Sequence, residues 1–160
     1  MTTSGLVSRS ARLTPLDYSY PTCERTCAEL RIYPQKISTR ELSELLRITP
    51  SECGDAGDVR IGSGGRTREL QRTYWVLTSE HSIKSNDLRH HLDWLIEKVS
   101  PCTEQLAAFS NNDGGKITVC CIWWSALGHG GPTLWPEQMA WLASTGLEVG
   151  FDIQFHAAEG

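Results

Sequence analysis

Apolar and polar residues alternate over residues 28–33, where Ala28, Leu30 and Ile32 share one side of an extended chain and Glu29, Arg31 and Tyr33 the other. That two-residue period predicts a strand with one buried face. The tetrad Ser38-Thr39-Arg40-Glu41 then reads as a capping box, followed by Leu42, Leu45 and Leu46 at helical spacing, and Pro50 closes the helix. The glycine- and aspartate-rich residues 53–65 read as an exposed loop, and strand character returns at Tyr74, Trp75, Val76 and Leu77. Leu88, Leu92, Leu95, Ile96 and Val99 form the stripe of a longer helix with Ser85 or Asn86 as N-cap, broken by Pro101, and a second helical piece covers residues 103–109. Residues 111–115 read as a turn. Residues 117–124 are apolar on both faces, as in a central strand. Pro136 opens a helix that turns Met139 and Leu142 inward, with Gly146 as its cap. Last, Leu147, Val149, Phe151, Ile153 and Phe155 alternate with polar residues or glycine as a half-buried strand.

Helices between strands, and a final strand with one wet face, predict an α+β two-layer sandwich: a sheet of about four mainly antiparallel strands with helices on one face, a ferredoxin-like (split βαβ) variant. Residues 1–26 show little apolar patterning and read as a flexible arm, leaving 27–160 as one domain. The chain has 160 residues, which fits that single domain. No run approaches the roughly 18 residues that span a bilayer, and the N-terminus lacks a signal-peptide core, so the expectation is a cytoplasmic protein without membrane contact.

The six cysteines include no C-x-x-C pair, and adjacent Cys120 and Cys121 sit in an apolar strand, so reduced thiols are expected rather than a metal site or disulfides. Charge is uneven. Residues 1–72 carry 11 basic and 9 acidic side chains (net +2), and residues 73–160 carry 4 and 10 (net -6), which together give the formal -4 of the chain.

Three segments offer chemistry. In the stretch Trp124-Ser125-Ala126-Leu127-Gly128-His129-Gly130-Gly131 a strand enters a glycine-rich loop ahead of a helix, an arrangement able to bring backbone N–H groups against an anion. It matches neither the phosphate-loop nor the dinucleotide spacing. His129 is open as base, ligand contact or plain loop residue, and no nucleophile elbow surrounds Ser125. His90, His91 and Asp93 do not make a metal site, since neighbouring helical histidines diverge by about 100°, and a partly exposed helix face is expected there. Arg66 and Arg68, with Arg60 and Arg72, make a basic loop suited to an acidic group, and the lack of aromatic residues among them argues against nucleic acid. Asp87, Asp93, Glu97 and Glu104 supply a possible negative surface for a basic protein.

Several groupings occur together: Leu46, Ile48 and Pro50; Gly57-Asp58; Tyr74-Trp75; His91-Leu92 with Trp94-Leu95; Trp123-Trp124-Ser125 with Gly128 to Gly131; Pro136-Glu137; and Gly150 to Ile153. Residues 28–155, about 128 of 160, thereby resemble the bacterial family called domain of unknown function 4279. That resemblance implies no reaction, no cofactor and no catalytic residue. The leading expectation is a non-enzymatic binding domain, an immunity-type or accessory protein that masks a basic, toxin-like partner. The alternative is a small-ligand domain or enzyme built on the loop around His129.

Overall fold

The structure, a computed structural model, describes residues 14–156. In chain order its elements are β1 (Cys23–Tyr33), α1 (Thr39–Leu46), β2 (Glu52–Gly54), β3 (Val59–Ile61), β4 (Thr67–Glu69), β5 (Tyr74–Thr78), α2 (Leu88–Val99), a 3-10 turn (Ser100–Cys102), α3 (Thr103–Asp113), β6 (Lys116–Ser125), α4 (Pro136–Thr145) and β7 (Glu148–Phe155). None of these helices is long and apolar enough to cross a membrane.

β1 is the axis of the sheet. It starts at Cys23, five residues before the alternation predicts, and pairs antiparallel with β5 on one side and β6 on the other. The five strands run β2-β5-β1-β6-β7, and the last pair is parallel, because α4 carries the chain back across the sheet before β7 begins. The expected four-stranded, mainly antiparallel ferredoxin-like layout is therefore corrected to a mixed five-stranded sheet. A two-stranded hairpin, β3–β4, stands in the segment read as a loop.

One sheet face carries the helices. Ala28, Leu30 and Ile32 of β1, Trp75 and Leu77 of β5, and Val119 and Cys121 of β6 meet Leu42, Leu88, Leu92, Leu95, Val99, Leu106, Phe109 and Leu142 in a single apolar cluster. Local signals set several boundaries as expected: Ser38 and Glu41 form the reciprocal cap of α1, and Gly146 ends α4 with φ 68°. Others moved. Asp87, not Ser85 or Asn86, caps α2, and α3 runs on to Asp113, whose carboxylate accepts the amides of Gln35, Lys36 and Ile37. Met139 is half exposed, and Gln138 is the buried residue of that turn; its amide donates to the Arg89 carbonyl and the Asp93 carboxylate.

Asp87 and Arg89 form a fully buried ion pair at 2.6 Å. Burial pushes the Asp87 carboxyl up, but hydrogen bonds from the Arg89 guanidinium and from the Asp17 and Arg89 amides outweigh it and hold it below the usual carboxylate value. Arg89 also donates to the carbonyls of Thr14 and Pro15 and lies over the Trp135 ring. Trp135 in turn donates its indole N–H to the Thr14 carbonyl. Residues 14–17, which the hydropathy pattern assigned to the arm, are thus tied to α2 and to the start of α4; residues 1–13 of that arm lie outside the described residues.

Among the described residues no helix covers the other sheet face, yet Cys27 and Cys120 on it are 5% and 7% exposed. Long side chains roof it: Arg31 reaches back to Glu29 at 2.8 Å, Arg25 lies over Trp124, and Arg72 lies over Tyr33. Long side chains of this kind cover apolar ground with their aliphatic stems, and the Arg31 charge is held by the buried Glu29 carboxylate. Burial raises the thiols of Cys23 and Cys27 to about 11 and that of Cys121 to about 12, so they are protonated at neutral pH and inert.

Two outcomes follow from this packing. Arg89→Leu leaves the Asp87 carboxylate buried without its cation and lowers unfolding stability by about 3–5 kcal/mol in urea titration, whereas Asp87→Asn/Arg89→Leu loses less than the two single changes added. Native protein treated with a maleimide labels at Cys53, the one half-buried cysteine, and Cys53→Ser abolishes the fast phase.

Candidate functional site

The glycine-rich loop after β6 is organised by Ser125, whose buried hydroxyl accepts the Gly128 amide at 2.9 Å and donates to the His129 carbonyl at 3.0 Å. That hydroxyl is committed to shaping the turn. Gly130, at φ 85°, lies so close to Thr22 that a Cβ would meet its hydroxyl at 2.5 Å, and Tyr20 donates to the Gly131 carbonyl. The glycines therefore serve contact with the segment leading into β1. The candidate residues do not converge: His129 is exposed in the loop, while Trp124 belongs to the opposite sheet face, sandwiched between Arg25 and His156.

Arg66 and Arg68 are exposed on the β3–β4 hairpin. The fold gives Arg68 aromatic neighbours that its local sequence lacks: Tyr33, Arg72 and Tyr74 line an open cleft with it. A more enclosed cleft of about 250 Å³ lies between α3 and the α4–β7 turn, lined by Leu106, Ser110, Asn111, Ile117 and Thr145 among others, with no ionisable side chain.

The acidic set divides by depth. Asp87 is corrected from surface residue to buried ion pair, and Glu104 is exposed on α3. Asp93 and Glu97, four apart and so one turn apart on α2, line a groove of about 370 Å³ between α2 and α4 with Ile96, Glu137, Gln138 and Trp141. Glu137 and Trp141 come from a segment 40 residues away, and only helix packing brings them here. The Trp141 indole N–H bonds to Ser100 and fixes the ring. Three carboxylates thus line one groove with Ile96 and Trp141, that of Asp93 also accepting the Gln138 amide.

Among the described residues, a hydroxyl and an imidazole meet at the buried Ser79–His91 contact. Since the Ser85 carbonyl only accepts, His91 Nε2 carries the proton and donates to it at 2.8 Å; Nδ1 then accepts the Ser79 hydroxyl, which itself accepts the Ala28 amide. His91 is 1% exposed and Ser79 fully buried, so the pair is a clamp between β1 and α2. The partly exposed face expected for both histidines holds for His90 alone.

With this geometry established, comparison with known proteins places the domain. The family described as Domain of unknown function (DUF4279) matches residues 22–156. The chain belongs to that family. No curated protein matches this DUF4279 chain, and no solved structure does. The family match takes in β1 from its first residue, and it includes the groove and the loop alike.

Burial, with the neighbouring His90, lowers the His91 pKa below its ordinary value despite the favourable Ser85 contact. The unfolded chain therefore binds a proton that the native state refuses, and stability falls as pH drops below about 6.5. Urea unfolding at successive pH values should show this loss, with one proton limiting the slope to at most about 1.4 kcal/mol per pH unit, and His91→Gln should flatten the slope.

Proposed function

We propose that this domain works by binding a basic protein in the α2–α4 groove. The observation that supports the reading is that Asp93, Glu97 and Glu137 line one groove with Ile96 and Trp141. A Lys or Arg side chain laid on Trp141 gains a cation–π contact, and its charge meets the carboxylates at the rim. Exposed ion pairs contribute only about 0.2–1 kcal/mol each, so affinity has to come from apolar burial on the groove floor. The charges act on encounter rate and partner choice. No Lys or Arg follows Lys116 in the chain, so α4 brings no cation to oppose such a partner. A toxin-like protein masked by an immunity or accessory protein in the cytoplasm has the required chemistry.

Immobilised wild-type domain should retain a basic protein from host lysate, identified by mass spectrometry and eluted by salt. Glu97→Lys/Glu137→Lys, with unchanged melting, should slow association with that isolated protein by at least about tenfold. Equal association by the variant, or no protein retained at any salt, rejects the groove.

A further inference from the structure

The two edges of the sheet are finished differently. At one edge β2 is only three residues long, and Arg60 donates to the Cys53 carbonyl at 2.6 Å. At the other, β7 runs eight residues and, among the described residues, pairs only with β6. It contains no Lys, Arg or Pro, the residues that usually blunt an exposed edge. Register with β6 sets Phe151 beside Cys121, Ile153 beside Trp123 and Phe155 beside Ser125. Phe151, Ile153 and Phe155 therefore lie on the helix-bearing side, yet they are 48%, 52% and 51% exposed. The alternation that predicts burial at these positions is present, but about half of each side chain stays open to solvent, even though the Phe155 ring lies against Gly128 of the loop after β6.

We infer that β7 is a dimer edge, occupied by β7 of a second copy running antiparallel about a two-fold axis at Ile153. The argument is complementarity. An axis normal to the sheet keeps each side chain on its own face, so odd-numbered residues of one strand oppose odd-numbered residues of the other. Centred on Ile153, the register sets Phe151 against Phe155 twice and Ile153 against itself, joining the two exposed rows into one apolar strip. On the other face it sets Asp152 against Gln154 twice, a carboxylate opposite an amide donor, in place of the contact that Gln154 now makes with Asp152 of its own strand. A centre at Asp152 puts two carboxylates directly opposite, which is destabilising, and a centre at Gln154 sets Phe151 opposite position 157, two residues past Phe155, the last residue of β7. The preferred register keeps residues 150–156 paired and continues the sheet across ten strands. This surface lies apart from the α2–α4 groove, so the inference does not depend on the basic-partner reading.

Light scattering on the full chain at micromolar concentration should give twice the monomer mass, and Ile153→Lys should give a monomer with unchanged circular dichroism and melting. Under mild oxidation Ile153→Cys should form a disulfide-linked dimer, because the two positions meet at the axis. Gly150→Cys, at a site with open space for a Cβ, should not, since each copy then faces His156. A wild-type monomer, a dimer that survives Ile153→Lys, or crosslinking at position 150 but not 153 overturns the inference. So does a monomer whose capture of a basic protein is lost on Ile153→Lys, which gives the edge to that partner.

Discussion

A buried charge pair is the constraint on which the arrangement around α2 depends. Asp87 and Arg89 are two residues apart at the start of α2, and once inside the protein neither is tolerable without the other. Satisfying the guanidinium requires more oxygens than Asp87 supplies, and the chain provides them from Thr14 and Pro15. Satisfying the Arg89 carbonyl draws in Gln138 of α4. One ion pair therefore fixes where the N-terminal segment docks, where α2 starts and where α4 sits, and the α2–α4 groove takes its shape from that placement. The Ser79–His91 clamp supports the same helix from the β1 side.

The sheet built beneath these helices is asymmetric in both directions. Across its thickness, one face is covered by helices and the other by arginine side chains lying over Trp124, Tyr33 and the buried thiols. Along its width, one edge is short and capped by Arg60, and the other is long, with one row of half-exposed apolar side chains. The helix face is filled near β1 and thins out toward β7, since β7 lies two strands from the axis. The charge asymmetry of the chain follows the same direction, with the last basic residue, Lys116, at the start of β6.

Much of the fold was legible in the sequence because local chemistry decides it. The capping box of α1, the Gly146 cap and the stripe of Leu88, Leu92, Leu95 and Val99 each depend on residues within a turn or two of one another. The misreadings have one cause. Asp87, Arg89, His91 and Gln138 are polar by composition and buried by partnership, with partners up to 75 residues away. Met139 and the row Phe151, Ile153 and Phe155 are apolar by composition and exposed by position at the side of the molecule. Hydropathy measures what a side chain prefers, and these residues occupy sites where a partner, or the lack of one, overrides the preference.

The same division holds for the candidate site. The sequence by itself determined the α+β class, most element positions, the excess of acid in the second half and the family resemblance, since each is carried by residue identity and short spacing. Only the tertiary structure decided that β7 runs parallel to β6 and ends the sheet, that Asp87 is spent inside the protein, and that Glu137 and Trp141 complete the groove opened by Asp93 and Glu97. These depend on which helix crosses which strand. That choice is settled by packing a continuous apolar core and pairing every buried charge at once, a condition no local stretch of the chain can express.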